Sequence, residues 1–425
     1  MNSNFRKVKL GEVADINPVR KLPKNTVAPY VPMDIIVPFN RKINSFTFRP
    51  WKGSGQKFKN GDILLARITP CLENGKAIYV DFLSNNQIGF GSTEFIVIRE
   101  KEGITNGLFL YYLIRTSEFR NYAIGRMEGT SGRQRVPASA VKNYEFYLPP
   151  LNYQEKCAGF LSLFDDKIEL NQRMNQTLEE MARTIFKSWF VDFDPVRARA
   201  EGRDPGLPAE IADLFPDSFE DSPLGEIPRG WRVVPILEIA ALLSGGTPKT
   251  SVPEYWDGNV YWVTAKDVSQ KRSLYIIDTD KKITELGLEN SSAKILPKNT
   301  VIVTARGTVG AYALLGKEMA MNQTNYGLVS QRENEEYFLF FMVVSILDEL
   351  KRNAYGTIFD TITTRTFQNV KVLMPPTKLT RCFNDLVSPF FEKMLNNENE
   401  NASLIELRDK LLPGLMNGSV HLRGD

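Results

Sequence analysis

Short runs of β-branched and large apolar residues, bounded by polar or glycine-bearing segments, recur over residues 1–150 and again over 231–376. Asp62-Ile63-Leu64-Leu65-Ala66, Glu94-Phe95-Ile96-Val97-Ile98 and Thr300-Val301-Ile302-Val303-Thr304 read as buried strands. Apolar residues at three- and four-residue spacing predict one helix over 108–122 and another over 337–352. Each β-rich stretch then stops at a proline pair, Pro149-Pro150 and Pro375-Pro376, because a residue before proline avoids the helical region.

The two stretches are copies. Val8-Lys9-Leu10-Gly11-Glu12-Val13-Ala14-Asp15-Ile16 is similar to Val234-Pro235-Ile236-Leu237-Glu238-Ile239-Ala240-Ala241-Leu242, and Leu148-Pro149-Pro150 to Met374-Pro375-Pro376, both at an offset of 226. Inside the copies the register drifts, and Ala66-Arg67 is matched to Ala305-Arg306 only after a shift. Behind each proline pair runs a long amphipathic helix, predicted over 152–190 and 378–412. Seven-residue spacing picks out Phe164, Asn171, Leu178 and Ile185 in the first, and Phe390, Asn397, Leu404 and Leu411 in the second. Lys167 and Lys393 are shared as well. Helices that each pack on their own module would give the same pattern. An asparagine at the same position of both seams favours antiparallel pairing with each other, since one polar seam residue specifies register. Residues 191–230 are acidic and proline-rich yet keep Phe193 and Phe215 and run into Trp231, which predicts an ordered but irregular strap. The expected organisation is therefore α+β. Two pseudo-repeated α/β modules, 1–150 and 231–376, carry spacer helices in 151–190 and 377–425, with a connector over 191–230.

Charge sharpens this picture. Lys and Arg outnumber Asp and Glu 22 to 12 over residues 1–150, while acids lead 16 to 9 over 151–230, although the whole chain is only +3. A basic module suits a polyanion, because phosphate contacts supply most nucleic-acid affinity. Hydrophobic residues at 42% and charged residues at 24% describe an ordinary soluble globular chain. The longest apolar stretch, 337–347, is about half of the ~20 residues a membrane helix needs. The opening residues lack the apolar segment of a signal peptide. Cys71, Cys157 and Cys382 are too dispersed for a metal knuckle, so the expected location is the cytoplasm.

Few residues suit catalysis. His421 is the single histidine, which removes a multi-histidine metal site and histidine acid–base chemistry. Gly245-Gly246-Thr247-Pro248-Lys249-Thr250 only faintly resembles a phosphate loop, since Pro248 removes an amide that a phosphate would need. Pro216-Asp217 has no acid-x-Lys partner, and Gly89-Phe90-Gly91-Ser92 has no acidic partner downstream. Binding is what remains.

Ser244-Gly245-Gly246-Thr247-Pro248 with Pro253-Glu254-Tyr255-Trp256, and Tyr261-Trp262-Val263-Thr264-Ala265-Lys266-Asp267, resemble the opening of a target recognition domain. Gly91-Ser92-Thr93-Glu94-Phe95 resembles a segment inside one. Ile185-Phe186-Lys187-Ser188-Trp189-Phe190-Val191-Asp192-Phe193 and Pro223-Leu224-Gly225-Glu226-Ile227-Pro228-Arg229-Gly230-Trp231 resemble the central region of the same family. Over nearly its whole length the chain resembles the specificity subunit of type I restriction–modification systems. The resemblance implies two target recognition domains, each reading half of a split, asymmetric site in double-stranded DNA, with the paired helices as spacer and ruler. It also implies docking of two modification subunits and of restriction subunits. S-adenosylmethionine, ATP and Mg would sit on those partners, with no cofactor and no catalysis in this chain.

Residue type and placement nominate the DNA contacts. Arg67 and Arg306, each just after a strand, suit guanine or phosphate. Arg133, Gln134 and Arg135 lie in a glycine-flanked polar loop. Asn322, Gln323 and Asn325 offer amides for adenine edges, and Thr264 and Lys266 suit phosphate. Trp51, Trp256 and Trp262 are expected in the core. Two other function classes stay open here. A stand-alone DNA adenine methyltransferase would bind S-adenosylmethionine by itself. A protein-only repeat scaffold would show no salt-dependent DNA binding.

Overall fold

The computed structural model describes residues 5–43, 45–130, 132–271, 273–354 and 361–420; Ser131 and His421 fall outside them. The chain forms two compact units. The first joins Met1–Glu169 to Ala402–Asp425, and the second is Leu170–Asn401.

In the first unit, strands Arg6–Lys9 and Glu145–Leu148 pair antiparallel with Val8 opposite Phe146. One four-stranded sheet runs Ala14–Ile16, Phe95–Glu100, Asp62–Ala66, Ala77–Tyr79. The other runs Thr47–Pro50, Val27–Val31, Gly89–Gly91, Gln56–Phe58, with its middle pair parallel. Strand Asp62–Ala66 is buried along its whole length because both its faces are covered. Ile63 and Leu65 pack into a core with Phe109, Tyr112 and Leu161, while Leu64 packs with Val31, Phe58 and Phe95. The helix expected over 108–122 is two helices, Gly107–Arg115 and Ser117–Ile124. Thr116 interrupts it, its hydroxyl accepting the Phe119 N–H at 3.2 Å as an N-cap.

The second unit repeats the plan. Strands Arg232–Pro235 and Lys371–Met374 pair with Val234 opposite Val372, so both partners recur 226 residues on from Val8 and Phe146. A five-stranded sheet runs Ala240–Ser244, Asn325–Ser330, Val301–Thr304, Tyr312–Leu315, Tyr275–Ile276, beside a three-stranded one with a parallel pair, Trp256–Val263 and Ala320–Met321. Helix Glu336–Ala354 carries Phe338-Leu339-Phe340-Phe341-Met342 where the first unit has Phe109-Leu110-Tyr111-Tyr112-Leu113. The two strings align because each helix opens on the same first-turn bond, Leu110 N–H to Asn106 O and Leu339 N–H to Glu335 O.

The connector is more regular than its proline content suggests. It forms helices Asp194–Ala200 and Ala209–Ala212 and a hairpin, Phe219–Ser222 with Gly225–Pro228. Val196, Phe215, Ile227 and Trp231 bury themselves in the second unit's core, and this burial orders the segment.

Two long helices, Leu151–Phe190 and Thr377–Asn417, each contribute to both units. They run antiparallel. In the first unit Asp165 meets Arg408, and the Tyr153 hydroxyl donates to the Leu415 carbonyl at 3.0 Å. In the second unit Asn171 Nδ2 donates to Asn401 Oδ1 at 3.0 Å and Asn397 Nδ2 donates to Asn175 Oδ1 at 2.8 Å. Those two pairs exchange under the 226-residue repeat, so one asparagine pair is the pseudo-symmetric image of the other. The seven-residue seam is a partial description. Asn171 and Asn397 are buried, but Phe164, Leu178, Ile185, Phe390, Leu404 and Leu411 are only half-buried. The fully covered line follows three- and four-residue steps through Cys157, Leu161, Asp165, Ile168, Asn171 and Asn175. That is the wider stripe of a helix packed on a globular body as well as on a partner.

Asp165 is 3% and Arg408 2% exposed. The Asp165 carboxylate also accepts the Tyr112 hydroxyl at 2.6 Å and lies 3.7 Å from Arg115. Moved by 226 residues, Asp165 becomes Phe391 and Arg408 becomes Ala182, and Tyr112 and Arg115 align with Phe341 and Val344. The second unit fills the same place with apolar side chains, Phe341 lying 5.9 Å from Phe391 between ring centroids.

Candidate nucleic-acid interface

In the first unit, backbone bonds gather three charged side chains. Arg67 follows strand Asp62–Ala66; its N–H donates to the Glu94 carbonyl at 2.9 Å, and its own carbonyl accepts from Val136 N–H at 2.9 Å. Ser92 N–H donates to the Val31 carbonyl at 3.3 Å, and Ser92 Oγ accepts Glu94 N–H at 3.1 Å, which fixes the loop before Glu94. Arg135 thereby lies beside Glu94. Its Nε donates to the two carboxylate oxygens at 3.0 and 2.9 Å, Nη2 to Oε1 at 2.7 Å, and Nη1 to the Arg133 carbonyl at 3.0 Å. The Arg135 hydrogen bond is the main cause holding the Glu94 carboxyl below its ordinary range, against partial burial and with help from the Arg67 charge. Arg67 is half-buried, and among the described residues its Nε has no hydrogen-bond partner. Arg133 is exposed on a turn closed by its N–H to the Thr130 carbonyl at 3.0 Å, and the Gln134 carbonyl accepts Thr69 N–H at 3.0 Å.

The second unit builds the same loop from other side chains. Asn322 N–H donates to the Val263 carbonyl at 2.9 Å, and Asn322 Oδ1 accepts Thr324 N–H at 3.2 Å, the role Ser92 Oγ plays for Glu94. Ala305 N–H donates to the Thr324 carbonyl at 2.8 Å, and Ile362 N–H to the Ala305 carbonyl at 3.2 Å. These bonds place Ala305, not Arg306, where the first unit has Arg67. Arg306 lies one residue further on and is exposed. The matching Ala-Arg dipeptides misalign the copies by one position, and the ladder corrects them.

Five further candidates have structural work. Asn325 is 1% exposed within strand Asn325–Ser330, and its amide donates to the Val263 carbonyl at 3.3 Å and Asn322 Oδ1 at 3.0 Å, so it is a strut and not a reader of adenine. The Asn322 carbonyl oxygen is engaged in the same turn. Thr264 caps helix Ala265–Ser269 in a reciprocal box with Asp267, its hydroxyl donating to that carboxylate at 2.6 Å. A cap is thus its role in place of a phosphate contact. Lys266 is exposed and pairs with Asp280 at 2.6 Å, which raises its pKa. Gln323 is exposed, with its Oε1 accepting the Thr247 hydroxyl.

Gly245 and Gly246 hold this loop from behind. A Cβ on Gly245 would collide with the carbonyls of Met321 and Asn322, and one on Gly246 with the backbone of Ser292 and Ala293. Trp262 is buried and its Nε1 donates to the Gly246 carbonyl at 2.9 Å, with Trp256 edge-on to it at 5.1 Å. Trp51 is half-buried under Lys57, whose Nζ lies 4.5 Å from the ring. Glu94 is the residue that sequence reasoning named only within a string. Its partner lies 41 residues away, and no local pattern announces that contact.

Among the described residues there is no cluster of three or more His, Cys, Asp or Glu able to hold a metal ion, and no helix long and apolar enough to cross a membrane. The type I restriction modification DNA specificity domain matches twice, over residues 2–180 and 228–404. The HindI type I restriction enzyme specificity subunit of Haemophilus influenzae is 30% identical over 407 residues, covering 85% of this chain and 87% of that one. The MjaIX specificity subunit of Methanocaldococcus jannaschii is 27% identical, covering 86% and 79%. The crystal structure of a type I restriction–modification S subunit from M. genitalium has the same fold, with a TM-score of 0.56 at 16% identity over 98% of this chain and 96% of that one. Duplicated modules on paired helices, and a family domain matched once in each copy, lead to one conclusion: the chain belongs to the type I restriction–modification specificity-subunit family.

Proposed function

We propose that the chain chooses the DNA sequence on which a type I restriction–modification assembly acts, each module reading one half of a split site in double-stranded DNA. The supporting observation is the repeat itself. Each copy carries its own sheets and its own loop of polar residues on a shared backbone plan, with different side chains at matching positions. Different side chains on one scaffold suit an asymmetric site, since base edges are distinguished by donor and acceptor pattern. Two continuous helices of 40 and 41 residues support the reading of a spacer that sets the gap between half-sites and docks two modification subunits, with restriction subunits added. The chain performs no chemistry in this reading. S-adenosylmethionine, ATP and Mg belong to the partners, and the assembly works in the cytoplasm beside the DNA.

The test is an exchange of residues 5–148 for another recognition domain, keeping the apolar positions that face Leu412, Leu415 and Met416. Methylation mapping with modification subunits supplied should show one half-site changed and the other kept. Loss of both together would overturn separable reading.

A further inference from the structure

We propose that Arg135, braced side-on by Glu94 and flanked by Arg67, is the base reader of the first module and recognises a G·C pair, and that Thr361 and Thr324 hold the equivalent places in the second module for a different base. This rests on the reading of the chain as a DNA specificity subunit and deepens it to residues. A guanidinium has five N–H donors. Three of those of Arg135 are used, on Glu94 and on the Arg133 carbonyl, which leaves one N–H on each of its terminal nitrogens. A donor on each of two terminal nitrogens of one guanidinium plane suits the paired acceptors of guanine, O6 and N7. A side chain already fixed also loses less freedom on binding.

Glu94 decides between base and phosphate. A carboxylate held ionised beside the arginine repels a phosphate, whereas it can accept from cytosine N4, the partner of that guanine. The repeat supplies an independent observation. Val136 and Ile362 donate to equivalent carbonyls, those of Arg67 and Ala305, so Arg135 corresponds to Thr361 as Glu94 does to Thr324. One backbone plan thus presents Arg, Glu and Arg in the first module and Ala, Thr and Thr in the second. Those are the positions at which two copies with different targets have to differ.

The experiment uses the full chain assembled with its modification subunits and two sets of DNAs, one randomised in the second half-site and one in the first half-site. The unaltered chain should select G·C at one position there. Arg135→Ala should lower discrimination at that position by about 10- to 100-fold, with the second half-site still selected. Glu94→Gln, nearly isosteric, should lower it by a smaller factor at the same position, which keeps the test open should Arg135→Ala not fold. Unchanged selection in both variants would overturn the proposal. So would an even loss of affinity over all sequences with a smaller salt slope, the mark of a phosphate contact. If the unaltered assembly selects no sequence in either half, the specificity-subunit reading itself fails, a result distinct from either.

Discussion

Replacing Asp165 with alanine should destabilise the first unit by about 3–5 kcal/mol. The loss has three parts. Arg408 is left cationic at 2% exposure with the half-exposed Asp409 beside it, Arg115 loses the carboxylate 3.7 Å away, and the buried Tyr112 hydroxyl loses its acceptor. For a unit of roughly 150–250 residues each kcal/mol shifts Tm by about 2–4 °C, so the fall should be about 6–20 °C. The second unit supplies the contrasting design. Copying it as Tyr112→Phe, Arg115→Val, Asp165→Phe and Arg408→Ala removes the buried carboxylate and both of its arginines. It should return stability to the starting value or exceed it by about 1–4 kcal/mol, because packed apolar groups usually match or better a buried ion pair. Calorimetry on the single and the fourfold variant measures both. A single variant that loses under about 1 kcal/mol would refute the claim that the carboxylate neutralises buried cations. A fourfold variant as unstable as the single one would refute the equivalence of the two units at this place.

Asn171→Leu should cost about 1 kcal/mol, because it leaves the Asn401 amide without its partner while adding apolar burial; Asn171→Leu with Asn401→Leu should exceed the original in urea melts but broaden the preferred half-site gap. Burial is the main cause pushing the Lys271 ammonium down to about 8, with Arg183 adding to it and Glu179 opposing. Between pH 8 and 10.5 the unfolded chain then binds the extra proton, so stability should rise with pH by up to about 1.4 kcal/mol per unit, and Lys271→Met should flatten that rise and raise Tm at pH 7. Adding four residues to each long helix lengthens it by about 6 Å, and the preferred gap in methylation assays should grow by about two base pairs; an unchanged gap would show the helices to be supports only.

The ends of the repeat were legible because two edge pairs, Val8 with Phe146 and Val234 with Val372, hold the copies in identical register. The interior was not, since loops of unequal length shift the offset, and a shared Ala-Arg dipeptide then outweighs a ladder that no sequence displays. Asn171 and Asn397 stood out at seven-residue spacing. Their partners Asn401 and Asn175 sit four residues further along each helix, on the same stripe, where a single heptad position does not reach. Thr264 and Asn325 have the right side chains for DNA and the wrong surroundings. Capping and burial are decided by neighbours such as Asp267 and Val263, so residue type alone misplaces them.

Because Ala402–Asp425 completes the unit that begins the chain, order along the sequence becomes order in time on the ribosome. At about 5–20 residues per second, the stretch from Leu170 onward takes roughly 10–50 s to emerge. During that interval the sheets and helices of the first unit exist without Leu412, Leu415 and Met416 over Cys157 and Leu161, and Asp165 has no Arg408. The second unit, contiguous in sequence, has no such delay. The first half to be translated is therefore the last to mature, and a nascent chain halted before residue 402 would hold one finished reader and one with an open apolar flank. For such a chain a pause in translation is a hazard confined to the first reader.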